Sequence, residues 1–245
     1  TVLFILSVFV YQRIYVLSLK GLDFIGYLWK LFTRAGTAAY VCLLVHLGYL
    51  LAARHLYPEN RYLLNIVYTI NFGLLIYFLS KAFYTWKKLI LFQKSKSLHV
   101  EWRWFEWLMF GSLLLTLFNI SYITYIFVPL LCLLVLYTLF VSIYLKWVAY
   151  LTLTRKWRSI LLLVAILVSV LIFGRYFQVQ ATNAELVVDH FEHPFVMLLM
   201  FFVFIYAFIS FLVAVFSLPT TSVFEQKRDD LLNIQRLSQS IQQGQ

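Results

Sequence analysis

The chain carries little charge. Asp, Glu, Lys and Arg make up 12% of its 245 residues, about half the share typical of a soluble domain, while 63% are hydrophobic. Such a chain has too few polar groups to cover its own surface, which excludes a soluble globular fold. Cysteine is scarce as well. Cys42 and Cys132 both fall in apolar runs, so they form no disulfide framework and serve as small packing residues. The sequence has no GxxxxGK[ST] phosphate loop, no paired CxxC and no GxSxG nucleophile elbow. Charges deep in the apolar runs are nearly absent, and no Gly/Pro interruptions recur in matching halves. The usual marks of an ion pump or secondary transporter are therefore missing. The last apolar run has no lysine, which excludes a retinal Schiff base there.

What is there is a series of apolar runs, several close to the ~20 residues needed to cross a ~30 Å hydrocarbon core. They predict an all-α fold: a polytopic membrane protein of about seven transmembrane helices, followed by a cytoplasmic C-terminal helix. The spans are 2–11 (a remnant too short to cross by itself), 35–53, 62–79, 104–118, 125–145, 160–173 and 195–218. Only residues 119–122 separate the fourth span from the fifth. A tight helical hairpin is the first reading there, and one long bent helix the second. Both ends of the chain read as cut within longer patterns, Thr1 inside an apolar run and Gln245 inside a helical one. The domains expected are a transmembrane bundle, 1–218, and a truncated linker helix, 219–245.

Basic residues set the sidedness of such a bundle. With the C-terminus inside and the spans alternating, 17 of the 20 Lys and Arg fall on inner segments. Only Arg54, Arg61 and Arg175 fall outside. A single span in place of the hairpin breaks this asymmetry. The first partner is thus the lipid bilayer, and the net charge of +10 faces anionic lipid. No basic stripe lies on a folded soluble segment, so nucleic acid is not a partner. Trp86, Trp102, Trp104, Trp107, Trp147 and Trp157 fall near inner boundaries, as an aromatic belt does.

Three groups of residues could carry chemistry. Asp189, His190, Glu192 and His193 lie in the outer segment before the last span. Two imidazoles three residues apart share a helix face and can meet at one divalent ion, with a carboxylate completing the set. A metal site, a pH-sensing loop and a plain solvated loop ahead of Pro194 are the three readings; no other cofactor is expected. His46, Asn65 and Asn71 form a candidate intramembrane polar cluster, read either as functional or as hydrogen-bonded glue between helices. Arg34, Arg103 and Glu106 sit at span starts and read as interfacial side chains in structural salt bridges. No catalytic residue is identified.

After the last span the composition turns polar: LPTTSVFEQKRDDLLNIQRLSQSIQQGQ, from Leu218. Pro219 breaks the helix leaving the membrane. Ser222 and Glu225 have capping-box spacing, which starts a new helix near Val223. With Phe224 at heptad position a, Phe224, Leu231, Ile234 and Ile241 line an a/d seam, the mark of a stalk joining two copies as a homodimer. A lone amphipathic helix is the other reading. This segment resembles the membrane-to-cytoplasm linker of bacterial multidomain signalling proteins. These carry a GAF-type domain and then a PP2C-like (SpoIIE-type) phosphatase or a histidine kinase. The resemblance covers residues 218–245 and the layout, and includes no catalytic motif.

What it implies is the membrane sensory and dimerisation region of a bacterial signal-transduction protein, in the inner membrane, relaying a stimulus to a cytoplasmic output domain. The alternatives are a multi-span transporter or membrane enzyme with its site between the second, third and fourth spans, and a structural subunit of a membrane complex.

Overall fold

A computed structural model of the chain describes residues 2–18, 24–55, 61–91, 96–115, 124–143, 145–149, 151–181 and 194–220, with scattered residues of the tail between 223 and 239. The described residues form helices joined by short turns, with no strand among them. In order they are α1 Val2–Ser18, α2 Phe24–His55, α3 Arg61–Leu91, α4 Lys96–Leu115, α5 Thr124–Ser142, α6 Lys146–Ala149, α7 Leu153–Ala181 and α8 Pro194–Phe216. The all-α, membrane-like class is the one expected.

Four segments are long and apolar enough to cross a bilayer: Ile25–Ala52, Tyr62–Leu91, Leu153–Gln180 and Phe195–Thr220. Val2–Ile14 and Cys132–Ser142 are shorter apolar helices, and α4 opens with the polar stretch KSLHVEWR. Seven spans is therefore a finer statement than length and apolarity support. Each of the seven expected segments overlaps a described helix, and several of the helices outrun them. α2 begins at Phe24 instead of 35, α3 continues to Leu91 instead of 79, and α7 continues to Ala181 instead of 173. The added turns hold Lys, Arg, Tyr and Trp, whose long side chains keep an apolar body in the bundle while the polar tip reaches its edge. Hydropathy marks where the charges begin, and the hydrogen-bonded helix does not end there.

α3 and α8 occupy the middle. α8 packs against α3, α4, α5 and α7; α3 packs also against α1 and α2, and α7 bridges α8 to α2. From Leu75 to Trp86 every α3 residue except Tyr77 is buried, as expected of a helix apolar on all sides. α4 and α5 form an antiparallel hairpin. The Tyr137 hydroxyl donates to the Glu101 carbonyl at 2.7 Å, and the Tyr137 ring stacks on Phe105 at 5.7 Å. In one continuous helix those positions would stand about 54 Å apart. The long bent helix is therefore out.

This antiparallel arrangement gathers the cations at one end. Lys88 donates to the Tyr27 hydroxyl, Lys87 pairs with Glu106, and Lys156 bonds Ser217. Arg13 and Arg103 line one cavity with Lys87 at the same end. Lys81, counted from sequence as an inner-segment residue, is instead inside α3 and only 3% exposed.

The tryptophans divide. Trp104, Trp107 and Trp157 are exposed, as interfacial residues are. Trp86, Trp102 and Trp147 are buried, which removes half of the expected belt. Trp102 packs on Phe83, Phe105 and Phe202, and Trp86 on Tyr206. Here the helices are close enough for these large rings to reach the bundle core. Outside, Leu43, Leu47, Leu50 and Leu51 on α2 and Leu161, Val168 and Leu171 on α7 are exposed apolar rows, suited to acyl chains.

Candidate functional site

The polar residues of the bundle meet in a cleft between α2 and α7, backed by α3. Ala39, Cys42, Leu43 and His46 recur at helical spacing and put one face of α2 toward it. Phe173, Tyr176 and Gln180 do the same from α7. The cavity has a volume of about 440 Å³ and mostly apolar walls. Across it the His46 ring meets the Tyr176 ring edge-on, with centroids 5.0 Å apart. From behind, the Asn71 amide nitrogen donates to the Tyr176 hydroxyl at 2.9 Å.

This arrangement leaves hydrogen-bonding capacity unused. The Tyr176 oxygen already accepts from Asn71, so its own proton is available to a second partner. His46 Nδ1 and Asn71 Oδ1 are buried with no hydrogen-bond partner among the described residues. In an apolar surrounding such orphaned groups cost about 1–3 kcal/mol each. Arg175 lines the cavity and is exposed. The walls and the neutral polar groups suit an uncharged amphipathic molecule.

Of the candidate polar cluster, His46 and Asn71 each meet Tyr176, and no direct contact joins them among the described residues. Asn65 is not among the residues lining the cleft; its backbone carbonyl accepts from Thr69 at 2.8 Å. Tyr176 and Gln180 lie beyond residue 173, where hydropathy ends the sixth span. The helical spacing 173, 176, 180 was the available signal. The cleft also draws on α7, the sixth span, where a site between the second, third and fourth spans was expected. Glu106 has Lys87 as its partner at 2.5 Å, and Arg103 lies exposed nearby.

Asp189, His190, Glu192 and His193 lie outside the described residues, as do Phe224 and Ile241. Among the described residues no group of three His, Cys, Asp or Glu could hold a metal ion. Cys42 and Cys132 are both free thiols, the first buried and the second exposed. Leu231 and Ile234 are 66% and 62% exposed on helical residues of the tail.

A second polar site sits at the opposite end of α7. Lys156 is 2% exposed. Its Nζ donates to the Ser217 hydroxyl at 2.8 Å and to the Ser217 carbonyl at 3.3 Å. Ser217 closes α8, so the ammonium meets the negative end of that helix, where a cation is favoured. Twenty residues of one helix, about 30 Å, separate Lys156 from Tyr176. Comparison with protein-family models, with curated proteins and with solved structures found no match to this chain.

Proposed function

We propose that the chain is the membrane sensory and dimerisation region of a bacterial signal-transduction protein. It lies in the inner membrane with seven spans and its C-terminus in the cytoplasm. The observation that carries the reading is the double attachment of α7. One end holds Tyr176 in the cleft with His46 and Asn71; the other holds Lys156 on Ser217, where α8 gives way to the tail. A helix that long moves as a rod. A guest that shifts Tyr176 shifts Lys156 with it, and the root of the tail follows. The tail then repacks through Phe224, Leu231, Ile234 and Ile241 against a second copy, and the change passes to a phosphatase or kinase domain. To bias such a switch appreciably, the stimulus must favour one packing by a few kcal/mol.

The test uses single cysteines at Leu231 and Ile234, with Asp229 as the off-seam position. Crosslinking should be strongest at the seam. Tyr176→Phe, which removes the acceptor for Asn71, and Lys156→Met should both change the seam yield. Equal yields at the three positions would end the stalk; seam yields unmoved by either variant would end the relay.

A small-molecule transporter is the second reading, favoured by a mostly apolar cavity with His46, Tyr176 and Gln180 on its walls. It predicts uptake of a substrate into vesicles, and Lys156→Met would leave that uptake intact.

A further inference from the structure

At the cationic end of the bundle a second cavity, of about 410 Å³, opens between α1, α3 and α4. Its floor is aromatic: Phe9 packs edge-on against Phe83 and Phe110 with centroids 5.8 and 5.3 Å away. One flank is apolar and open to the outside of the bundle, through Val10 at 56% and Trp107 at 71% exposure. The other carries charge. Arg13 from α1, Lys87 from α3 and Arg103 from α4 line it together with a single carboxylate, Glu106. Lys87 occupies that carboxylate at 2.5 Å. Arg13 and Arg103 are exposed and have no ion-pair partner among the described residues.

We infer that this groove binds an anionic phospholipid, its phosphate facing Arg13 and Arg103 and an acyl chain lying along Val10, Trp107 and the aromatic floor. Two features of the site select a lipid over a dissolved anion. The guanidiniums stand beside an apolar wall that reaches outward, and all three helices belong to a bundle whose exposed rows suit hydrocarbon. Guanidinium groups bind phosphate oxygens in pairs, and basic pockets between membrane helices are where anionic headgroups are held. The lipid seats on α1 and α4, two elements that share α3 as a neighbour, and so ties the start of the chain to the hairpin.

The experiment is native mass spectrometry of the intact chain in nonionic detergent. Phosphatidylglycerol, phosphatidylcholine and inorganic phosphate are added separately and in competition. The expected result is retention of phosphatidylglycerol in preference to phosphatidylcholine, undisturbed by equimolar inorganic phosphate. Arg13→Gln with Arg103→Gln should weaken that retention about thirtyfold, the scale of two basic residues on an anionic surface. Arg155→Gln with Arg158→Gln, the same loss of two charges on α7 away from the groove, should leave it as it was. Val10→Trp should reduce retention with every charge in place, and it decides the question if the double variant fails to fold. Equal retention of the two lipids, or unchanged retention in the double variant or in Val10→Trp, would overturn the site. Displacement by inorganic phosphate would overturn its assignment to a lipid.

Discussion

The indole nitrogen of Trp147 donates to the hydroxyl of Tyr206 at 3.0 Å, with both side chains buried. Tyr206 lies on α8 and also packs its ring on Trp86 of α3, at 4.9 Å between centroids. One residue thus holds the central helix pair and the α5–α7 connection together. Tyr206→Phe keeps the ring contact and orphans the indole, so it should destabilise the bundle by about 1 kcal/mol. A cycle with Trp147→Phe, read by thermal unfolding in detergent, should show the two losses to be less than additive. Additive losses would mean that the hydrogen bond carries no coupling.

Gly174 on α7 faces Met200 on α8. A Cβ built there would stand 3.3 Å from the terminal methyl of Met200. That methyl ends a flexible side chain and can yield, and alanine gains up to about 1 kcal/mol of helix propensity over glycine. Gly174→Ala should therefore leave stability nearly unchanged. Gly174→Leu has no such room, should cost about 1–3 kcal/mol by overpacking, and should part the two helices that the proposed relay requires to move together. Thermal unfolding separates the two variants; equal stability would show that α7 and α8 are loosely packed there.

Lys87 and Glu106 join α3 to α4 with side chains 29% and 22% exposed. Such partial exposure keeps solvent screening in play, so their double-mutant coupling should be about 0.5–1 kcal/mol. Lys87→Met, Glu106→Gln and the double variant, compared at low and high salt, check it. A coupling that does not fall with salt would place the pair in a far drier surrounding than its exposure indicates.

Much of the fold was legible because hydropathy and basic-residue counts report directly on the solvent each residue meets. The all-α, membrane-like class and the α4–α5 hairpin could be read that way. Tyr176 could not. It lies beyond the last strongly apolar residue of its span, next to Arg175, where hydropathy falls but the helix goes on. Trp86, Trp102 and Trp147 were misread for a related reason: indole is common at interfaces and in aromatic cores, and composition cannot say which neighbours come near. Lys81 belongs with them, since a cation near a span end looks the same in sequence whether it faces solvent or the bundle.

The sidedness of the bundle gives the widest test. The Phe110–Phe195 and Phe105–Phe202 ring contacts run α4 antiparallel to α8, and the Lys156–Ser217 bond joins the end of α8 to the start of α7, so the start of α4, the start of α7 and the end of α8 lie at one end. Arg175 lies near the far end of α7. Cysteines at Ser97, Thr154 and Gln235 should then react together with an impermeant thiol reagent applied to one face of sealed vesicles. A cysteine at Gln178 should react only from the other face. Exchanging Cys42 and Cys132 for alanine first removes the native thiols; Cys42 is buried and Cys132 exposed, so Cys132 is the one whose removal matters for background. Reaction of Ser97→Cys and Gln235→Cys from opposite faces would mean that an odd number of spans separates them. The proposed seven-span count and the layout that puts the tail in the cytoplasm would both fall with that result.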